Sequence, residues 1–193
     1  MGANLFKAFP DQVAVANEIL GFSLEDYCLN DPDGKLSQTR YTQPCLFVVS
    51  ALSFLAESEK LDNSPAYFAG HSLGEFNALF AAGSFDFRTG VELVHRRAQL
   101  MSEAKGGGMA AIINCPEDTL RSIIQEHGNA VDIANLNSPN QIVISGPVAA
   151  IGKLAPDVKK AGATQIPLKV SAAFHSRYMQ PAMEQYANYL QSI

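Results

Sequence analysis

The spacing of apolar residues changes at Gly106-Gly107-Gly108. Before that point it is mostly helical; after it, short apolar runs alternate with helical stretches. Residues 4–20 read as one helix with a proline early in it, closed by Gly21. LNDPDGKLSQTRYTQP, with Asp31-Pro32 and Asp33-Gly34 as turn signals, reads as loop. TQPCLFVVSALSFLAES then predicts a buried helix with Pro44 in its first turn, where a missing N–H costs nothing. PAYFAG, residues 65–70, is an apolar run bounded by proline and glycine and predicts a buried strand. Helical spacing resumes at Ser72 in SLGEFNALFAAG and stops at Gly83.

After the three glycines, MAAIIN predicts a strand and PEDTLRSIIQEHG a helix opened by acidic residues. AVDIANLN predicts a second strand, Ser138-Pro139-Asn140 a turn, and QIVISG a third strand. PVAAIGKLAPDVKKAG predicts a helix broken at Pro156, and ATQIPLKV a fourth strand. The order βαββαβ over about 60 residues is the split, ferredoxin-like unit. It predicts a small subdomain over 106–170, inserted into a core made of 1–105 and 171–193. The final stretch, SAAFHSRYMQPAMEQYANYLQSI, is expected to be helical from about Ser176.

Composition narrows the function classes. The 193 residues are 47% hydrophobic and 17% charged, enough for a sizeable core in one domain, or a domain with a small insert. A net charge of -5 without a basic run gives nucleic-acid binding little support. Cys28, Cys45 and Cys115 are too few and too scattered for a disulfide framework or a zinc site, so no metal is expected. No apolar run is long enough to span a bilayer, and the N-terminus has no basic start followed by an apolar core. A cytoplasmic monomer is the default expectation.

Gly70-His71-Ser72-Leu73-Gly74 matches the nucleophile-elbow pattern, with a strand expected before it and a helix after it. The glycines would permit a tight turn that pushes the Ser72 hydroxyl into a cleft. The helix N-terminus would offer N–H groups, that of Leu73 first, to an oxyanion. The competing reading is a plain helix N-cap, a position serine favours. A nucleophilic serine needs a base. Of His71, His95, His127 and His175, the last lies at the junction between the expected insert and the final helix, where a cleft wall would place it. His95 and His127 read as surface residues. No acid stands out as a third member, so a Ser–His dyad and a triad both remain open.

The helix FRTGVELVHRRAQLMSEA supplies an independent signal. Placed on a wheel from Val91 at about 100° per residue, Arg97 lands at about 240°, in the middle of the apolar arc. A guanidinium cannot shed its charge and is costly to bury unpaired. Arg97 therefore either pairs with an internal carboxylate or awaits an anionic ligand, which it could hold bidentately.

Together these residues resemble the malonyl-CoA:acyl carrier protein transacylases, and among them the discrete, trans-acting acyltransferases of polyketide assembly lines. TQPCLFVVSAL, GHSLGEFNALFAAG, NLNSPNQIVISG and AFHS match family motifs in family order across essentially the whole chain. The resemblance implies an α/β fold, with an α/β-hydrolase-like core and an inserted ferredoxin-like subdomain. It implies that malonyl passes from coenzyme A, through an ester on Ser72, to the phosphopantetheine thiol of an acyl carrier protein. That carrier would serve polyketide or fatty acid synthesis, and no cofactor is expected to be bound. His175 would be general base and acid, Leu73 N–H an oxyanion donor, and Arg97 the holder of the malonyl carboxylate. Gln43, His71 and Phe174 would line the substrate site, Phe174 leaving little room for an α-methyl group. Lys105, Lys169 and Arg177 are candidates for a basic patch facing an acidic carrier. The alternatives are an acyl-thioester hydrolase on the same residues, or a catalytically weak chain that only docks a carrier. The family's initial strand and Gly-Gln-Gly-x-x-Gln motif, which supplies a second oxyanion donor, have no counterpart here. The chain also stops soon after the histidine helix. The resemblance therefore implies a core incomplete at both termini, and losing one oxyanion donor costs on the order of a hundredfold in rate.

Overall fold

Residues 1–63 and 65–193 are described by the structure, a computed structural model, and their packing divides the chain into Met1–Gln99 and Leu100–Ile193. This division groups 171–193 with the segment 106–170.

The first unit contains α1 (Ala3–Ala8), α2 (Pro10–Leu20), α3 (Leu24–Asn30), a 3-10 segment Pro32–Ser37, α4 (Thr39–Ser58), α5 (Gly74–Ala81) and most of α6 (Phe87–Glu103). The single helix expected over 4–20 is two helices. Pro10 disfavours helical geometry in the residue before it, and Phe9 sits at φ -126, ψ 57, so Pro10 starts a new helix. Gly21 closes that helix at φ 72, its N–H donating to the Asn17 carbonyl. α3 has no counterpart in the sequence reading. Ser23 caps it by accepting from the Asp26 N–H, and Glu25 and Asp26 favour its positive end.

α4 begins at Thr39, inside the stretch expected to be loop, so Pro44 lies within the helix rather than in its first turn. The Arg40 carbonyl loses its ordinary i+4 donor there. The helix survives because Cys45, Phe47, Val48, Ala51 and Leu52 are all fully buried beyond the proline. A buried side chain of the Leu or Phe size contributes about 1.5–3 kcal/mol, so several outweigh one missing bond. α6 lies close against α4 at Gly90, where a Cβ would come within 2.5 Å of the Phe47 ring.

The strand expected over residues 65–70 is not formed. The segment is irregular, Tyr67 is 92% exposed, and among the described residues no strand lies in the first unit. An apolar run without a neighbouring strand has no ladder to complete.

The second unit carries β1 (Gly108–Ile113), α7 (Glu117–Glu126), β2 (Asp132–Ser138), β3 (Gln141–Gly146), α8 (Val148–Lys160) and β4 (Thr164–Pro167). A 3-10 turn, Arg177–Met179, and α9 (Gln180–Leu190) follow. The sheet order is β2-β3-β1-β4 with every neighbouring pair antiparallel. Ala110, Ile112, Ile142 and Ile144 point from β1 and β3 into a core with Leu120, Ile124, Ile151, Leu154 and Val158 of α7 and α8. Met109 and Val143, on the opposite face by the two-residue alternation of strands, meet Ala172 and Phe174. α8 runs unbroken through Pro156, contrary to the expected break, because Ile151, Leu154 and Val158 bury its apolar face on both sides. His127 is not a free surface residue: its Nε2 lies 2.9 Å from Asp157, joining α7's end to α8. The three cysteines are free and buried.

Candidate active site

Ser72 sits where the chain turns from the irregular segment into α5, and it adopts φ 51. A serine in this left-handed region is strained by roughly 1–2 kcal/mol, a cost structures tolerate chiefly where a side chain must be aimed. Gly70 makes the turn possible. A Cβ on it would lie 1.9 Å from the Gly74 carbonyl carbon and oxygen and 2.4 Å from the Glu75 nitrogen. Gly74 has nothing within 4 Å of such a Cβ, so only the first glycine of the motif is demanded by close approach.

Ser72 does not cap α5. The residue before the helix is Leu73, and no side chain caps it. The turn is closed by backbone bonds instead: Gly74 N–H to the His71 carbonyl, Glu75 to Ser72 and Phe76 to Leu73. Leu73 is buried, and its N–H stands just ahead of the first turn of α5, where no preceding helical carbonyl exists to accept it. The His71 side chain is exposed.

Arg97 reaches this elbow from α6. Two turns beyond the Gly90–Phe47 contact on α6, and one turn before it on α4, Arg97 meets Gln43. Nη1 donates to the Gln43 side-chain oxygen, and Nη2 lies 3.4 Å from Ser72 Oγ. The Phe76 ring, one turn after Ser72, lies with its centroid 5.7 Å from the guanidinium carbon. Gln43 is 8% exposed and Arg97 half-buried. Both of these hydrogen bonds are to neutral oxygens. Asn77 fixes α5 against α4 by donating to the Phe47 carbonyl. Ser72, Leu73, Gln43 and Arg97 are thus brought together within one unit.

His175 and Phe174 belong to the second unit. Ala172, Ala173 and Phe174 are buried beneath the sheet, and His175 follows them at φ 57 with its side chain exposed. Gly107 admits this segment, for a Cβ there would stand 2.7 Å from Ala173 Cβ. The loop is braced beyond the histidine. Ser176 Oγ donates to the Ala173 carbonyl and accepts from the Tyr178 N–H. The Arg177 N–H and guanidinium donate to the Asp132 carboxylate on β2, and the Tyr178 hydroxyl donates to the Ala130 carbonyl. The Arg177 hydrogen bond, with its charge, holds the Asp132 carboxyl below its usual range despite partial burial. Arg177 is therefore already paired, which weakens it as part of a basic patch; Lys105 and Lys169 are exposed. An open cavity of about 610 Å³ beside His175 is lined by Arg121, Asp132, Asn135 and Arg177 among others.

Sequence reasoning missed the Phe76 contact. Its only trace is its place four residues after Ser72, at the start of the helix into which the elbow leads. His95, expected on the surface, is half-buried: its Nε2 lies 2.7 Å from the Gln99 side-chain amide, and its Nδ1 is buried without a partner among the described residues. Burial first, then the charge of Arg40, hold its pKa below the ordinary 6.5. Among the described residues no helix is long and apolar enough to cross a membrane.

The family model described as "Acyl transferase domain" matches residues 1–193. The chain is 47% identical over 195 residues to a polyketide biosynthesis malonyl CoA-acyl carrier protein transacylase, BaeC of Bacillus velezensis, covering 100% of this chain and 68% of that one. It superposes on the crystal structure of a malonyl CoA-acyl carrier protein transacylase from Burkholderia pseudomallei with a TM-score of 0.95 and 46% identity, over 100% of this chain and 67% of that one. A malonyl-transacylase solved in complex with a type II polyketide synthase acyl-carrier protein matches with a TM-score of 0.92 and 36% identity, over 100% and 65% of the two chains. The chain thus spans about two thirds of the length of these proteins, and 17% of one larger polyketide biosynthesis protein.

Proposed function

We propose, for a chain that belongs to the acyl transferase domain family, that its site moves a malonyl group from coenzyme A to the phosphopantetheine thiol of an acyl carrier protein. One observation carries the reading: the Arg97 guanidinium lies 3.4 Å from Ser72 Oγ, in the same unit. A fixed cation beside a nucleophile suits an acyl group that ends in a carboxylate, and has no use for a plain acyl chain. It therefore favours a malonyl transferase over a simple acyl hydrolase.

The chemistry has two symmetrical halves. His175 takes the Ser72 proton as Oγ attacks the thioester carbonyl, and the Leu73 N–H stabilises the oxyanion. The C–S bond breaks, the coenzyme A sulfur takes the proton from His175, and an ester remains on Ser72. The carrier's thiol then gives its proton to His175 and attacks the ester, and Ser72 recovers the proton. Exclusion of water from the ester separates transfer from hydrolysis. No step requires a bound cofactor or metal. Arg97 holds the malonyl carboxylate, Gln43 and His71 line the site, and Phe174 limits substitution at the α-carbon. The complex formed by a matching transacylase with its acyl-carrier protein supports a carrier or a carrier domain as partner.

The same proposal takes in the finer architecture: an α/β-hydrolase-like core drawn from 1–105 and 171–193, with a ferredoxin-like subdomain over 106–170. The strand order β2-β3-β1-β4 supports the second part. A cytoplasmic monomer fits both parts.

Intact mass after brief incubation with malonyl-CoA tests the reading. The expected result is one malonyl adduct on this chain and none on Ser72→Ala. Arg97→Ala should accept malonyl about a hundredfold less well and turn towards acetyl-CoA, since hydrogen bonds to a charged group contribute about 1.5–3 kcal/mol. An adduct that survives in Ser72→Ala, or one that Arg97→Ala forms as readily, would sink it.

A further inference from the structure

We propose that Phe76 is a positioning residue: its ring holds the Arg97 guanidinium beside Ser72, so that acyl groups carrying a free carboxylate are selected over uncharged ones. The inference rests on the function proposed above and assigns a role to a residue outside the catalytic set.

Arg97 ends a long side chain with several rotatable bonds, and selecting a carboxylate requires that its fork point one way. Two of its constraints lie along its N–H bonds: Nη1 to Gln43 and the 3.4 Å approach of Nη2 to Ser72 Oγ. Hydrogen bonds made near the guanidinium plane resist tipping out of that plane less than they resist rotation within it. The Phe76 ring opposes that tipping, its centroid 5.7 Å from the guanidinium carbon, inside the range of about 6 Å over which a ring attracts a cation. Phe76 is itself steadied by packing against the first unit's buried core.

The ring's chemistry suits the task. A carboxylate in its place would hold Arg97 more firmly, but it would compete with the substrate carboxylate for the same N–H donors. An aromatic face attracts the cation through its quadrupole and leaves the N–H donors available. The spacing adds a geometric link. Phe76 follows Ser72 by four residues at the start of α5, so the segment that aims the nucleophile also aims the cation. A displacement of one carries the other with it, which keeps the malonyl carboxylate and its thioester carbonyl in register with Arg97 and Ser72.

The experiment replaces Phe76 with 4-fluoro-, 3,5-difluoro- and 3,4,5-trifluorophenylalanine, which weaken the quadrupole with little change of shape, alongside Phe76→Leu and Phe76→Tyr. Rates of Ser72 acylation are measured against malonyl-CoA and acetyl-CoA concentration. The preference for malonyl should fall stepwise with fluorination, reaching about fivefold for the trifluoro ring and for Phe76→Leu. The change should appear in the concentration for half-saturation by malonyl-CoA, and Phe76→Tyr should retain the preference. A preference that stays flat across the fluorinated series overturns the inference, whether or not Phe76→Leu folds. If the unaltered chain shows no preference for malonyl, the proposed function falls and takes this inference with it; a wild-type preference that fluorination leaves untouched removes the inference alone.

Discussion

The two glycines that flank Ser72 look equivalent in the motif, and the structure separates them. Gly70→Ala puts a methyl group 1.9 Å from the Gly74 carbonyl and 2.4 Å from the Glu75 nitrogen, where apolar contacts settle at about 3.5–4 Å. The obstacles are backbone atoms, so no rotamer change relieves them. The elbow must open by more than about 1 Å, and overpacking of this kind costs about 1–3 kcal/mol or more. A shift of that size at a reacting atom costs about a hundredfold in rate. Gly74→Ala meets open space at the first position of α5, where alanine is the better helix former by up to about 1 kcal/mol. Thermal unfolding and the rate of Ser72 acylation by malonyl-CoA should therefore diverge. Gly70→Ala should lower Tm by roughly 2–12 °C, given about 2–4 °C per kcal/mol for a chain of this size, and acylation by about a hundredfold. Gly74→Ala should leave Tm unchanged or slightly raised, and acylation within about threefold. Equal losses in the two variants would refute the reasoning, because they would mean that the turn needs glycine for conformational freedom rather than for clearance.

Two further predictions concern pH. The pKa of His95 is held below its ordinary value in the folded chain, chiefly by burial, so the unfolded chain binds that proton first as pH falls. Stability should drop as pH falls from about 6.5 through the folded value, and His95→Gln should flatten the change in Tm between about pH 7.5 and 5.5. A variant that loses as much Tm as the parent over that span would remove His95 from the explanation. Asp132 is the opposite type of group: its depressed pKa gives stability that is present above its ordinary value of 3.8 and lost as pH falls through the folded one. Asp132→Asn should therefore lower Tm at neutral pH and converge on the parent in strong acid, while a constant difference across the titration would rule out the Arg177 pair as its source.

What the sequence disclosed followed the range of the interactions involved. Elements set by local spacing were legible: β1, β3, α7 and α9 lie close to where alternation and helical periodicity put them. The errors fell where a local rule and tertiary burial disagreed. Pro44 and Pro156 each read as a helix start or break, yet both lie inside helices, because buried side chains on either side outweigh one missing hydrogen bond. Pro10 did divide a helix, since the residue before it had no comparable reason to stay helical. PAYFAG failed for a different reason. Its composition specifies a residue willing to be a strand, but a strand exists only beside another, and composition is silent on the neighbour.

The candidate site shows the same division. Ser72 was visible because the strained turn leaves its mark two residues earlier, in Gly70, and Arg97 because a charge on an apolar arc is a local contradiction that only a partner resolves. Neither signal says which partner. The wheel left an internal carboxylate and an anionic ligand equally open, and the groups that meet Arg97 in space include a neutral amide, a serine hydroxyl and an aromatic face, contributed by α4 and by the elbow and first turn of α5. Gln43 and Phe76 are unremarkable at their own positions, one a polar residue in a helix and the other a hydrophobic residue near a core. Their importance arises only where three segments converge, 54 positions apart at the widest. A charged residue in the wrong arc can thus reveal from sequence that a site exists, but the groups that orient it are the ones whose local chemistry raises no question.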